Sequence, residues 1–265
     1  GGVTIHSFFQ LPFTPYVPES KGFQQHEESI DRHHLLGRIK MNSDRRKVLQ
    51  QLELLIIDEI SMVRCDVLDA IDVVLRHFRY RYNEPFGGVQ VLFIGDMFQL
   101  PPVVQDDEWR ILSPFYSSPF FFDSKVLKHD EPVHIELNKI YRQNEQQFIH
   151  LLNKVRNNEM DEDGFALLNS RFNASFQPAK DDGYITLTTH NFKADAINAE
   201  QLGKLQEKAE AYKANVTGEF YEKSFPAEEM LQLKVGAQVM MIKNDVEKKY
   251  FNGKIGLVTR LRSEE

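Results

Sequence analysis

The stretch LLIIDEISMV, Leu54 to Val63, decides the fold. Four apolar residues run straight into two carboxylates, Asp58 and Glu59. Taken with the residues before it, QLELLIID (51–58) is a continuous apolar run of strand length, the pattern of a parallel strand covered on both faces. A buried strand that ends in an acid pair is built to meet something positive. From Arg64 to Tyr80, Val67, Leu68, Ile71, Val74, Leu75 and Phe78 recur at spacings of three and four, which predicts an amphipathic helix. NEPFGG (83–88) is a turn. VQVLFIGD (89–96) predicts a second buried strand, and it too ends in an acid, Asp96. Two strands separated by a helix, each ending in Asp, predict an α/β fold with a doubly wound parallel sheet. In such sheets ligands collect at the carboxyl ends of the strands.

Outward from this centre the signals are more local. The opening, GGVTIHSFFQLPFTPYVPES, reads as a short β-branched run and then a Pro- and Phe-rich loop. Residues 103–130 read as loop, with aromatic clusters around Phe115, Tyr116 and 120–122. PVHIEL (132–137) predicts a strand, and Phe148, Leu151, Leu152 and Val155 lie in phase on a helix after it. GYITLTTH (183–190) predicts another strand, followed by a helix with Asn191 as its N-cap. The last stretch is β-rich with an Asn-Gly turn, like the first strands of a small barrel that is not completed.

Composition sets outer limits. A chain of 265 residues predicts about two domains. Hydrophobic content of 42% is enough for ordinary cores and too much for a disordered chain. The single cysteine, Cys65, excludes an internal disulfide and favours a reducing compartment such as the cytoplasm. No apolar run approaches the ~20 residues that span a membrane, so no membrane partner is expected. The opening residues show no basic-then-apolar leader pattern. They lack an initiator Met and read as a cut made inside a domain. Net charge is −7 with a pI near 5.8, which does not favour non-specific nucleic-acid binding but leaves room for a local basic groove.

The acid pair suits metal-assisted phosphoryl transfer. An Asp at a strand end holds Mg²⁺, usually through water, and the next residue can orient or deprotonate an attacking water. An acid pair that merely ends a strand and caps the helix after it is the plainer alternative. The second strand continues GDMFQLPPV (95–103), where Gln99 can hydrogen-bond a terminal phosphate and two prolines stiffen the segment. A rigid loop is the plainer alternative there. Arg142, in YRQ (141–143), can reach across a cleft as an arginine finger, or stand as a solvated surface charge.

In this order, GGVTIHSFFQLPF, LLIIDEISMV, VQVLFIGDMFQLPPV and LNKIYRQ resemble the Pif family of superfamily-one DNA helicases, relatives of RecD. LTTHNFKADAINAEQL and LKVGAQVMMIKND…FNGKIG resemble the stretches that follow in the same family, so the likeness touches nearly the whole chain. The resemblance implies a 5′→3′ motor that hydrolyses ATP with Mg²⁺ and moves along single-stranded DNA. It implies two partial RecA-like domains, residues 1–131 and 132–230, and the start of a β-barrel insertion at 231–265. By position, Asp58 and Glu59 match the Walker B acids, Gln99 the phosphate sensor, and Arg142 the arginine facing the γ-phosphate. The segment Thr4–Phe8 matches a DNA-contacting motif.

The DNA reading also has support in the residues themselves. Thr4, His6 and Ser7 can hydrogen-bond phosphates. Phe8 or Phe98 can stack on a base, unless they belong to the core. Thr188, Thr189, His190 and Asn191 sit at a strand-to-helix junction, where a helix N-terminus favours phosphate. The departures are equally plain. The phosphate loop G-x-x-x-x-G-K-[ST] occurs nowhere in the 265 residues; GKIG (253–256) and GKLQ (203–206) lack its other members. The T-x-H-K-x-Q-G-like and arginine motifs that follow the barrel in the family are also absent. The expectation is therefore a fragment, without ATPase or unwinding activity of its own. A non-hydrolytic module that holds single-stranded nucleic acid or a partner is the competing reading. A different P-loop enzyme, such as a nucleotide kinase, leaves GDMFQLPPV and YRQ without a role. No feature identifies a protein partner, the biological DNA substrate or the oligomeric state.

Overall fold

The strands β1 (Leu54–Ile57) and β2 (Gln90–Phe93) pair in parallel, with Leu54 opposite Gln90 and Ile57 opposite Phe93. Both are shorter than the apolar runs that predict them, because Gln51 closes a helix and the chain leaves the ladder after Phe93. The computed structural model describes residues 2–18, 29–128, 131–141, 144–176, 184–216, 227–245 and 247–262. Ahead of β1 lie α1 (Ile5–Phe9), α2 (Arg32–Arg38) and α3 (Ser43–Gln51). Helix α4 (Cys65–Arg79) joins the two strands. After β2 come α5 (Asp106–Leu112), α6 (Gln146–Arg156), α7 (Glu162–Asn169) and α8 (Asn191–Gly203). Two antiparallel pairs follow: β3 (Glu210–Lys213) with β4 (Met230–Leu233), and β5 (Gln238–Met240) with β6 (Ile255–Leu257). The chain packs as two units, Gly1–Phe172 and Asn173–Glu265.

Helix α4 is the axis of the first unit. Its apolar stripe, Leu68, Ile71, Val74 and Leu75, is fully buried. Burial of a side chain of this kind contributes roughly 1.5–3 kcal/mol. The helix stops at Tyr80, which turns left-handed and donates its N–H to the Arg76 and His77 carbonyls. The turn after it must pass close to the helix. At Gly87, with φ +60°, an added Cβ would lie 2.7 Å from the Leu75 carbonyl oxygen, so only glycine fits.

A second row on α4 is polar, and it organises the surrounding chain. Asp66, Asp69 and Asp72, three residues apart, are all buried. Asp66 accepts hydrogen bonds from the Arg64 guanidinium and from the Tyr16 N–H. Asp69 accepts from the Tyr116 hydroxyl at 2.8 Å and from the N–H groups of Lys125 and Val126 at 2.9 Å. Asp72 accepts from Arg76 and the Phe86 N–H. Burial pushes the Asp69 and Asp72 carboxyls above the usual range, against the pull of these donors. At the start of the helix Cys65 is buried, and its thiol donates to the Ser118 carbonyl. Burial, then the nearby Asp66 charge, pushes that thiol up to about 12.

Several expectations need correction. The sheet is not covered on both faces. Leu55, Ile57, Val91 and Phe93 pack into the core, but Leu54, Ile56, Leu92 and Ile94 are 45%, 54%, 45% and 45% exposed. Among the described residues the predicted strand 132–137 has no ladder partner, and Val133, Ile135 and Leu137 stand exposed. Residues 184–188 of the predicted strand 183–190 are likewise unpaired. The opening read as β-branched run and loop holds α1, and the loop-like 103–130 holds α5. Among the described residues no helix is long and apolar enough to cross a membrane.

Candidate nucleotide site

The two acid-tipped strands end side by side. Beyond the paired residues, Ile94 donates its N–H to the Ile57 carbonyl at 2.9 Å, and Ile60 donates to the Ile94 carbonyl at 3.0 Å. Gly95 allows this closeness, since a Cβ there would lie 3.0 Å from the Ile60 nitrogen and Cγ2. Asp58 and Glu59 leave the sheet from one tip, and Asp96 to Gln99 leave from the next.

Glu59 adopts a left-handed backbone, φ 54° and ψ 44°, and caps the 3₁₀ turn Ile60–Met62. Its N–H is taken by Asp58 Oδ1 at 3.0 Å. Asp58 and Glu59 are both exposed, and neither forms an ion pair among the described residues. No group of three or more acidic, His or Cys side chains clusters as a metal cage among the described residues. Mg²⁺ on a nucleotide needs no such cage. It binds through one or two carboxylates plus phosphate and keeps several waters, so an exposed Asp58 at a strand tip fits it.

The second tip is more heavily bonded. Asp96 Oδ1 accepts the Phe98 N–H at 3.0 Å, and Asp96 Oδ2 accepts from Gln99 Nε2 at 3.3 Å. Gln99 also donates its N–H to the Asp96 carbonyl at 3.0 Å. Arg156, the last residue of α6, pairs with Asp96 at 3.2 Å, and its guanidinium carbon lies 4.9 Å from the Phe98 ring centroid. Partial burial pushes the Asp96 carboxyl up, but the Phe98, Gln99 and Arg156 donors outweigh it and hold it below the ordinary value.

A family model described as PIF1-like helicase matches residues 1–164. The chain belongs to the PIF1-like helicase family. A second model, described as the 2B domain of DNA helicase Pif1, matches residues 221–261. The ATP-dependent DNA helicase PIF1 of Homo sapiens is 35% identical over 79% of this chain and 32% of its own length. That of Saccharomyces cerevisiae is 31% identical over the whole chain and 29% of its own length. The Campylobacter jejuni Pif1 is 29% identical over the whole chain and 58% of its own length. The crystal structure of Bacteroides Pif1 bound to ssDNA superposes with a TM-score of 0.77 at 42% identity, covering 99% of this chain and 57% of that one. The crystal structure of Pif1 helicase from Bacteroides in complex with ADP-AlF3 and ssDNA gives 0.77 at 41% identity, with 99% and 57% covered. This PIF1-like chain therefore spans about a third to somewhat over half the length of these relatives.

The remaining sequence-predicted residues of the PIF1-like chain fall in three places. Arg142 lies outside the described residues. Thr4 caps α1, its Oγ1 accepting the Ser7 N–H at 3.3 Å, and Ser7 is exposed. His6 stacks on Phe13 with ring centroids 4.8 Å apart. Burial, then the Arg64 charge, lowers its pKa. Phe8 is half-buried against the core and meets Phe9 edge-on, whereas Phe98 is 65% exposed. In the second unit, His190 rather than Asn191 is the N-cap of α8, and Asn191 is its first residue. Thr188 donates its hydroxyl to the His190 carbonyl at 3.0 Å, and Thr189 Oγ1 lies 2.8 Å from His190 Nδ1. The sequence reading missed Arg156. A basic residue at a helix C-terminus is ordinary, and nothing local links it to a strand tip sixty positions earlier.

Proposed function

We propose that this chain is part of an ATP-dependent DNA helicase, which couples Mg²⁺–ATP hydrolysis to 5′→3′ movement along single-stranded DNA. One observation carries the reading: two parallel strands deliver Asp58–Glu59 and Asp96–Gln99 to adjacent tips, where open α/β sheets bind ligands. Asp58 would hold Mg²⁺ through water, and the ion would neutralise charge on the β- and γ-phosphates. Glu59 orients or deprotonates the attacking water. Gln99 donates its amide to the terminal phosphate, and Arg142 supplies the arginine finger. Relatives solved with ADP-AlF3 and with ssDNA support both ligands.

The finer architecture belongs to the same proposal. It comprises RecA-like motor domains at 1–131 and 132–230, and a barrel beginning at 231–265. The antiparallel β5–β6 hairpin and the matched 2B-domain model support the last assignment. Single-stranded DNA would run over Thr4, His6, Ser7, Phe8 and Phe98 in the first domain, and over Thr188, Thr189, His190 and Asn191 in the second. Stacking on aromatic rings suits a motor that must ignore sequence, and contributes about 1–3 kcal/mol per base. The lone, buried Cys65 supports a reducing compartment such as the cytoplasm.

The test uses the full-length protein with its phosphate loop. Glu59→Gln lowers DNA-stimulated ATP turnover by about a hundredfold or more, the range of a general base, while anisotropy shows single-stranded DNA still bound. Turnover unchanged by Glu59→Gln would sink the reading. The 265-residue chain alone, which lacks the loop motif, shows no Mg²⁺-dependent turnover.

A further inference from the structure

Arg156 makes an arrangement that an ordinary surface charge does not. Its Nε and Nη2 approach Asp96 Oδ1 at 3.4 and 3.3 Å, its Nε approaches Oδ2 at 3.2 Å, and its guanidinium lies over Phe98. One side chain from α6 thus grips both the carboxylate and the ring of the turn that carries Gln99. Among the described residues, no other ion pair reaches Asp58, Glu59 or Asp96. The Asp96 carboxylate is also where the Gln99 amide rests, at a long 3.3 Å.

Gln99 Nε2 carries two hydrogens, so with one on Asp96 the amide can aim the other at a phosphate only as well as Asp96, its anchor, is placed. Arg156 is the charged donor that fixes this anchor, beside the Phe98 N–H. We propose that Arg156 is a positioning residue for Gln99. It holds Asp96 and the 96–99 turn in place while the Gln99 amide donates to a terminal phosphate, and it ties that turn to α6. The inference rests on the helicase reading above. Arg156 touches neither nucleotide nor metal in this role; it acts through Asp96.

The full-length protein tests it through steady-state ATPase kinetics. Arg156→Ala lowers kcat by about tenfold with KM for ATP nearly unchanged, the mark of a misplaced group rather than lost ground-state binding. Arg156→Lys keeps the charge but loses the planar stack on Phe98, and falls between the two. Combining Arg156→Ala with Asp96→Asn costs no more than the worse single change, because both act in one contact. Thermal midpoints separate this from misfolding, and Arg156→Gln replaces Arg156→Ala if the latter fails to fold. Wild-type kcat in Arg156→Ala, a loss confined to KM, or additive losses would overturn the proposal. Glu59→Gln assayed in parallel keeps the two failures apart. If it abolishes turnover while Arg156→Ala keeps the wild-type kcat, only the positioning role falls. If it leaves turnover intact, the helicase reading falls and takes this role with it.

Discussion

Glu59 holds a backbone conformation that side chains with a Cβ seldom adopt. A residue in this left-handed region carries a penalty of roughly 1–2 kcal/mol relative to the right-handed one, and glycine escapes most of it. Glu59→Gly is therefore more stable to urea than Glu59→Ala by about 1 kcal/mol, although both lose the carboxylate. Equal midpoints would mean that the turn relaxes without strain. Asp96 gives a second prediction, in pH. Its carboxyl is held below its unfolded value, so its contribution to stability is present above the unfolded pKa of about 3.9 and is lost as pH falls through the folded one. The stability gap between wild type and Asp96→Asn, measured by urea unfolding, shrinks on going from neutral to strongly acidic buffer. A gap that widens instead would contradict the assigned donors.

At the level of elements, α4 is held from outside by its own carboxylates. Asp69→Ala strands two backbone N–H groups and a phenol in the interior, and each stranded donor costs about 1–3 kcal/mol, so the loss is about 3 kcal/mol or more by denaturant titration. A loss below about 1 kcal/mol would mean that water reaches those donors. Such a hub explains what could be read in the chain and what could not. Helix α4 and strands β1 and β2 announced themselves because their apolar periods are local and strong. The row Asp66, Asp69, Asp72 has the same period, yet acids on a helix read as a wet face until their partners are known, and those of Asp66 and Asp69 include groups some fifty residues away. Helix α5 hides for the opposite reason: DDEWRIL is short, and its first turn is all acid. The segment 132–137 alternates like a strand, but a ladder is a non-local bond and periodicity cannot supply the partner. The strand-tip acids were legible because they adjoin their strands. Arg156 was not, because its meaning comes only from packing.

For the whole molecule, the open face of the sheet matters most. Leu54, Ile56, Leu92 and Ile94 form a contiguous apolar surface next to the acid tips. Patches of this kind promote association. The 265-residue chain should therefore self-associate in sedimentation velocity at micromolar concentration, and Ile56→Lys with Leu92→Lys should return it to a monomer. Sedimentation of the unaltered chain as a monomer throughout would show that the face is harmless. Cys65 bears on how such experiments can be done. Its sulfur is enclosed and stays protonated far above neutrality. Maleimide dyes attack only the ionised form, so they pass over the native thiol. A reporter cysteine placed near Phe98 or on α6 would then take the fluorophore alone, and the contact between α6 and the 96–99 turn could be followed in real time without first engineering the wild-type sulfur away.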